Sequence, residues 1–133
     1  MTNKKNLWGE LPNAETIRTP YTILKEQASI LSEITNGLLI GEVVVNIQKE
    51  NFLAMTLRIK APSLNNYTYS VVDVQQPIQL YPVGIRNLIK NTWTEYSSEE
   101  EFENALGQIL SSQEVKRVIS ALLAQIHADI PKQ

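Results

Sequence analysis

The stretches GLLIGEVVVNIQ (37–48), FLAMTLRIK (52–60) and YTYSVVDVQ (67–75) decide how this chain folds. Each is rich in Val, Ile, Leu, Thr or Tyr, and short polar segments separate them. Consecutive antiparallel strands have this composition and spacing. Because helical patterns precede and follow them, the sequence predicts an α+β fold: an antiparallel sheet of three to five strands, one N-terminal helix and two C-terminal helices.

The first two strands indicate their own pairing. A three-residue loop over 49–51 places Gln48 opposite Phe52 and, further along, Glu42 opposite Arg58. One face of the hairpin is then wholly apolar, whereas a two-residue turn would set apolar against polar side chains, so the alternation favours the longer loop. An exposed cross-strand pair contributes only about 0.2–1 kcal/mol. We therefore interpret Glu42 and Arg58 as fixing the register rather than as a reactive dyad.

Thr19-Pro20 and Asn36-Gly37 mark the two ends of the first helix. Threonine caps a helix N-terminus, proline suits the first helical position, and Asn-Gly ends a helix readily. The apolar stripe between these ends is wider than a coiled-coil seam. One row can cover the sheet while the other meets either the C-terminal helices or a partner subunit. The stripe comprises Ile23, Leu24, Ala28, Ile30, Leu31 and Ile34.

Ser98 and Ser111 each precede a glutamate by three residues, which is the spacing of a capping box. They predict the last two helices, over about 99–110 and 112–129. His127, the only histidine, falls on the side away from the apolar row and in the last turn of its helix. Because the helix itself offers no partner for a triad or a metal site, we expect no chemistry at His127.

The segment between the sheet and the last helices gives a weaker pattern. Pro77 and Pro82 bracket IQLY (78–81), which predicts an edge strand because proline cannot donate to a ladder. Residues 85–96 fit a helical period at first, while TWTEY (92–96) has strand composition. We predict a brief helix there, followed by irregular or short-strand structure.

The composition argues against several classes of protein. The chain has 133 residues, with 12 Lys and Arg against 14 Asp and Glu, a formal charge of −2 and no cysteine. Such a chain has no basic patch for nucleic acid, no disulfide and no thiolate metal site. It also lacks a signal-peptide pattern and any run of roughly 20 apolar residues. We expect one cytoplasmic domain over 1–133, with neither nucleic acid nor a membrane as partner.

Asp73 is the best candidate for a functional acid, because it lies among valines and a buried carboxylate must find hydrogen-bond partners. Glu42 and Arg58 are weaker catalytic candidates. Together the three residues would suit a small hydrolase or nuclease. There is no phosphate-binding glycine loop, no HExxH and no GxSxG in the sequence, so we expect no cofactor and no metal.

Two sets of residues are candidates for binding. The first is Trp8, in a polar arm over 1–18, which either folds back on its own domain or docks onto a partner or a second copy, since Trp is enriched among interface anchors. The second is a set of aromatic residues that would line a small-ligand pocket. These are Tyr67, Tyr69, Trp93 and Tyr96.

Three classes of function therefore remain. The leading one is a non-enzymatic protein-interaction module, such as an adaptor, a chaperone or an inhibitor, which binds a protein partner or forms a homodimer through Trp8, Ile23 and Ile30. The alternatives are a small-ligand-binding domain with an aromatic pocket and, with least support, the hydrolase or nuclease. In architecture alone, a small acidic chain with a helix, an antiparallel sheet and further helices resembles bacterial secretion chaperones and other compact adaptor or immunity-type proteins.

Overall fold

A computed structural model describes residues 4–49 and 51–129. It confirms the predicted α+β class, with one helix before a five-stranded antiparallel sheet and two helices after it. The elements in chain order are α1 (Pro20–Ile34), β1 (Ile40–Gln48), β2 (Phe52–Ala61), β3 (Tyr67–Pro77), β4 (Val83–Asn87), β5 (Thr92–Tyr96), α2 (Glu99–Leu110) and α3 (Gln113–His127). Every strand pairs with the next one along the chain, so the spatial order is β1-β2-β3-β4-β5.

The β1–β2 pairing is as predicted in its middle and different near the turn. Glu42 lies opposite Arg58, which confirms the predicted register there. Closer to the turn, however, Gln48 pairs with Leu53 rather than with Phe52, and the Lys49 amide donates to the Phe52 carbonyl at 2.9 Å. The predicted three-residue loop is therefore wrong, although Glu50 at its centre lies outside the described residues.

Asn46 explains why the alternation argument failed at the turn. Val45 faces Met55 while Ile47 faces Ala54, so Asn46 is an extra residue in β1. This bulge absorbs a shift of one residue, which allows the shorter turn and the predicted register in the middle of the hairpin to coexist.

A second bulge lies in β3. Leu57 of β2 faces Val72 while Arg58 faces Ser70, so Val71 is the extra residue. Val71 and Val72 are both buried in consequence. The bulge accounts for the mixed pattern of this strand, in which simple alternation gives no plainly polar face.

The prediction of an edge strand over 78–81 is wrong. Strand β3 continues to Pro77, which pairs with Phe52, and the next segment only makes a turn before β4. The prediction of a brief helix after residue 85 is wrong as well. Strands β4 and β5 form a hairpin, whose turn is stabilised by the Asn87 side chain accepting from the amides of Ile89 at 2.9 Å and Lys90 at 3.2 Å.

The helix ends follow local capping chemistry. The Thr19 hydroxyl accepts from the Thr22 amide at 3.1 Å at the start of α1, and Gly37, with φ +79°, donates to the Ser32 carbonyl at 2.8 Å at its end. Both predicted ends of this helix are thereby confirmed. The Ser98 hydroxyl caps α2 by accepting from the Glu101 amide at 3.2 Å.

The cap of α3 differs from the prediction by one residue. Ser112, not Ser111, accepts from the Val115 amide at 3.3 Å. Ser111 instead ends α2, where its amide donates to the Gly107 carbonyl at 3.0 Å. Serine is a favoured residue at a helix N-terminus, so the sequence offers two candidates for this cap. The connection between the helices is so short that Ser111 ends α2 and Ser112 begins α3.

The three helices pack on one face of the sheet. The core lies between these two layers, with contributions from every helix and from the central strands. Its largest fully buried side chains include Ile23 and Leu24 of α1, Met55, Val72, Val74 and Ile85 of the sheet, Phe102 and Leu106 of α2, and Val115 of α3.

Candidate functional site

An apolar groove separates α1 from the α2–α3 pair. Its deepest section has a volume of about 170 Å³. The C-terminal half of α1 forms one wall, the facing ends of α2 and α3 form the other, and β2 and β3 form the floor. The apolar residues that line this section are Ala28, Ile30, Leu31 and Ile34 on the first wall, Leu110, Val115 and Ile119 on the second, and Leu57, Ile59 and Val71 on the floor.

The groove continues along α2 in a wider section of about 620 Å³. Ile34 and Leu110 line both sections, so the two adjoin. Glu103 and Lys116 stand at the edge of the wider part. The groove is therefore apolar inside and carries charges of both signs at its rim.

Gly41 of β1 explains why the groove lies where it does. A Cβ atom at this position would overlap the backbone carbonyl of Ala28, so α1 comes closer to β1 than a side chain would allow. The Ser32 hydroxyl accepts from the Gly41 amide at 3.0 Å and donates to the Ala28 carbonyl at 3.2 Å. Because α1 is held down on β1 in this way, its opposite side stands away from α3.

The outer row of α1, which consists of Ile23, Ile30 and Ile34, is covered only in part by the rest of the chain. Ile23 is 1% exposed and belongs to the core, where it packs beneath α2. The prediction of Ile23 as an interface residue is therefore wrong, because the C-terminal helices cover this end of the row. Ile30 and Ile34, about two and three turns further along, remain 43% and 72% exposed at the mouth of the groove.

From residue 4 onward, where the structure describes the N-terminal arm, its large apolar side chains do not pack on the domain. Leu7, Trp8 and Leu11 are 84%, 85% and 71% exposed. The Asn6 side chain accepts from the Trp8 amide at 2.9 Å and donates to the Gly9 carbonyl at 3.3 Å, so a local turn presents Leu7 and Trp8 together. Of the two expectations for the arm, docking within its own domain is not observed.

Arg18 holds the base of the arm against the helices. Its guanidinium donates to Glu26 and Glu103 and lies 3.6 Å from Glu99. The hydrogen bonds to Glu26 and Glu103 raise the pKa of Arg18. The bond to Glu26 also holds the pKa of that carboxyl below its usual value. Burial raises the pKa of the neighbouring Tyr81, and the charges of Glu99 and Glu103 raise it further.

The four aromatic residues predicted to line a pocket do not come together. Tyr67 lies at the start of β3 near α3, Tyr69 packs against the core, and Tyr96 lies beside α2. Trp93 is on the opposite face of the sheet, with its ring over Gly84. They form no common wall in this fold.

The three candidate catalytic residues share the sheet face that is opposite the helices. Glu42 Oε2 lies 3.7 Å from Arg58 Nη2. Asp73 is only half-buried and accepts from the Thr56 hydroxyl at 2.6 Å, which in turn accepts from Asn46 at 2.7 Å. These contacts join strands β1, β2 and β3 across one face, so a structural role accounts for each of the three charged side chains.

His127 is exposed at the end of α3, as its position in the helical period indicates. In residues 4–49 and 51–129, no three His, Asp or Glu side chains are grouped so that they could hold a metal ion. The same residues contain no helix that is both long and apolar enough to cross a membrane.

Comparison of the chain with models of protein families, with curated proteins and with solved structures gives no match. Sequence reasoning identified Ile30 but not Leu110 and Ile119, which form the facing wall. The available signal was that Leu110 is the last apolar residue before the break between two helices, a position that can face a neighbouring element.

Proposed function

We propose that this protein is a non-enzymatic protein-interaction module that binds an apolar segment of a partner polypeptide in the groove between α1 and the α2–α3 pair. One observation carries the proposal. Ile30 and Ile34 stand exposed at the mouth of a groove with an apolar interior, on a helix that is otherwise well packed. Large apolar side chains arranged in this way are typical of surfaces that bind another chain.

The groove suits a segment of polypeptide because a small section for one side chain adjoins a wider section of about 620 Å³, although the wider section by itself has the size of a small-ligand pocket. Pockets for drug-sized ligands measure about 300–1,000 Å³, whereas the deep section has about 170 Å³. A cavity of roughly 150 Å³ takes one benzene ring, so the deep section suits one large side chain. The wider section beside it then takes the neighbouring residues of the same segment. An amphipathic helix or an extended segment with apolar anchors has this shape.

The expected affinity is moderate. Full burial of a Leu, Ile or aromatic side chain contributes about 1.5–3 kcal/mol, and ordering of the two partners offsets part of this. Two or three anchors in the groove supply about 3–9 kcal/mol before this offset, whereas a dissociation constant of about 1 μM needs about 8.2 kcal/mol, so the dissociation constant should lie above about 1 μM. Glu103 and Lys116 at the rim supply charges that discriminate between partners more than they add affinity.

Selection of peptides from a random displayed library on the native protein tests the proposal. We expect the selected peptides to contain at least two large apolar residues and to bind Ile34→Lys at least tenfold more weakly than the native protein by calorimetry. Lysine is chosen because Ile34 is the last residue of α1, where a positive charge suits the helix end.

Ile78→Lys is the matched control. Ile78 is 74% exposed, close to the 72% of Ile34, and lies in the turn between β3 and β4, outside the groove. The same chemical change there should leave peptide affinity unaltered. Peptides that bind the native protein and Ile34→Lys equally well would show that the groove is not the binding surface.

A further inference from the structure

The N-terminal arm has the features of a segment that fits the groove. Its exposed anchors, Leu7, Trp8 and Leu11, are the large apolar side chains that such a site requires. Gly9 has φ +71°, and the turn around it holds Leu7 and Trp8 close together before any docking takes place. A preformed turn of this kind reduces the entropy that is lost on binding.

The base of the arm lies at one end of the groove. Arg18 donates to Glu103, and Glu103 lines the wider section. The ten residues from Trp8 to Ile17 span at most about 33–36 Å when extended, while the 15 residues of α1 measure only about 22 Å. The arm is therefore long enough to reach any point of a groove next to its base.

The tip of the arm and this end of the groove carry opposite charges. Three carboxylates, those of Glu26, Glu99 and Glu103, surround the single guanidinium of Arg18, which leaves an excess of two negative charges. The arm carries Lys4 and Lys5 at its tip, before the apolar anchors, whereas Glu10 and Glu15 lie nearer to its base. An arm that lies with its tip toward this end of the groove, and with Trp8 in the deep section, brings the two positive charges of the tip to the acidic cluster.

We propose that the groove is occupied by the arm of a second copy, and that two chains exchange arms reciprocally with Trp8 in the deep section. This inference rests on the proposed function of the groove and names its partner. We assign the arm to a second copy because, within a single chain, the arm stays exposed although its own groove is within reach. Reciprocal exchange uses the same two surfaces on both chains and therefore closes at a dimer.

Light scattering after size exclusion tests the exchange in the full-length chain. We expect the native protein and Ile78→Lys to be dimers. Trp8→Ser and Ile34→Lys should each raise the dimer dissociation constant by roughly 100-fold, because each substitution affects two symmetric contacts and each contact should lose about tenfold in affinity. An equimolar mixture of Trp8→Ser and Ile34→Lys should form a heterodimer that is weakened only about tenfold, because one arm–groove pair is intact and the other, already lost to one substitution, loses little more to the second.

The fluorescence of Trp8 distinguishes exchange from its alternatives. In a Trp93→Phe background, Trp8 emission should shift to the blue as the concentration rises through the dimer dissociation constant. A blue-shifted emission in the monomer that Ile34→Lys abolishes would place the arm in its own groove and overturn the proposal.

Two further outcomes would also overturn the exchange. One is a dimer that persists in both variants, since another surface would then hold it together. The other is a native protein that stays monomeric at several hundred micromolar with fully solvated Trp8. Neither result affects the peptide selection, so a failure of the exchange is distinguishable from a failure of the groove as a binding site.

Discussion

Replacement of Gly41 by alanine tests how closely α1 lies on the sheet. The new Cβ would overlap the backbone of Ala28, and the backbone cannot move aside as a flexible side chain can. Overpacking of this kind costs about 1–3 kcal/mol, and the smaller entropy of the unfolded alanine chain returns about 0.4–1 kcal/mol. An unfolding entropy near 2.1 cal/mol/K per residue gives ~0.28 kcal/mol/K for 133 residues. A net loss of about 1–2 kcal/mol then lowers the Tm by roughly 4–7 °C, measured by circular dichroism.

Ala28→Gly provides the discriminating control. Because the overlap involves the backbone of Ala28 rather than its methyl group, removal of that methyl should not rescue Gly41→Ala. Glycine within a helix costs about 1 kcal/mol by itself. The double variant should therefore lose at least as much stability as the two single variants lose together. If Gly41→Ala had the native Tm, or if Ala28→Gly rescued it, the close approach of α1 to β1 would be wrong.

Three further predictions concern other parts of the molecule. Gly84→Ala should lower the Tm only slightly, because the new Cβ meets the ring of Trp93, which is partly exposed and can move. In a Trp93→Ala background the same substitution should raise the Tm, so a lower Tm in both backgrounds would contradict the contact between Gly84 and Trp93. Arg18→Met should lower the Tm at pH 7, and the loss should become smaller as the pH falls below 4.5. The stabilisation linked to the lowered pKa of Glu26 is present above its usual value of 4.5 and is lost as the pH falls through the folded value, so a loss that does not depend on pH would refute the ion pair. His127→Gln should change neither peptide binding nor stability by more than about 0.5 kcal/mol, as calorimetry and thermal unfolding can check, and a larger loss would contradict its exposed position.

The sequence predicts well what depends on neighbouring residues. Thr19 and Ser98 cap their helices because both the hydroxyl and the amides that it satisfies lie within one turn. The bulges at Asn46 and Val71 were not predictable in the same way. Alternation of side chains indicates which residues face together, but it does not show where a strand takes an additional residue.

The candidate site was predictable only in part. The apolar stripe that contains Ile30 and Ile34 is visible in the sequence, but the separation between α1 and the α2–α3 pair determines which part of it stays exposed. That separation depends on the close contact of Gly41 in β1 with Ala28, for which no local pattern exists. Arg18 has no local signal either, because Glu103 lies 85 residues away in the chain.

The bulge at Val71 has a consequence for how this chain tolerates insertions and deletions. If Val71 took a regular place in the ladder, alternation from Val72 would turn Tyr69 and Tyr67 to the opposite face of the sheet, whereas with the bulge they pair with Ile59 and Ala61, which are buried on the helix side. Val71 thus reverses the alternation of inward and outward side chains between the two halves of β3. Deletion of this one residue would join Ser70 directly to Val72 in a regular ladder and leave every other side chain of the strand on its present face. It would remove only Val71 itself from the floor of the groove.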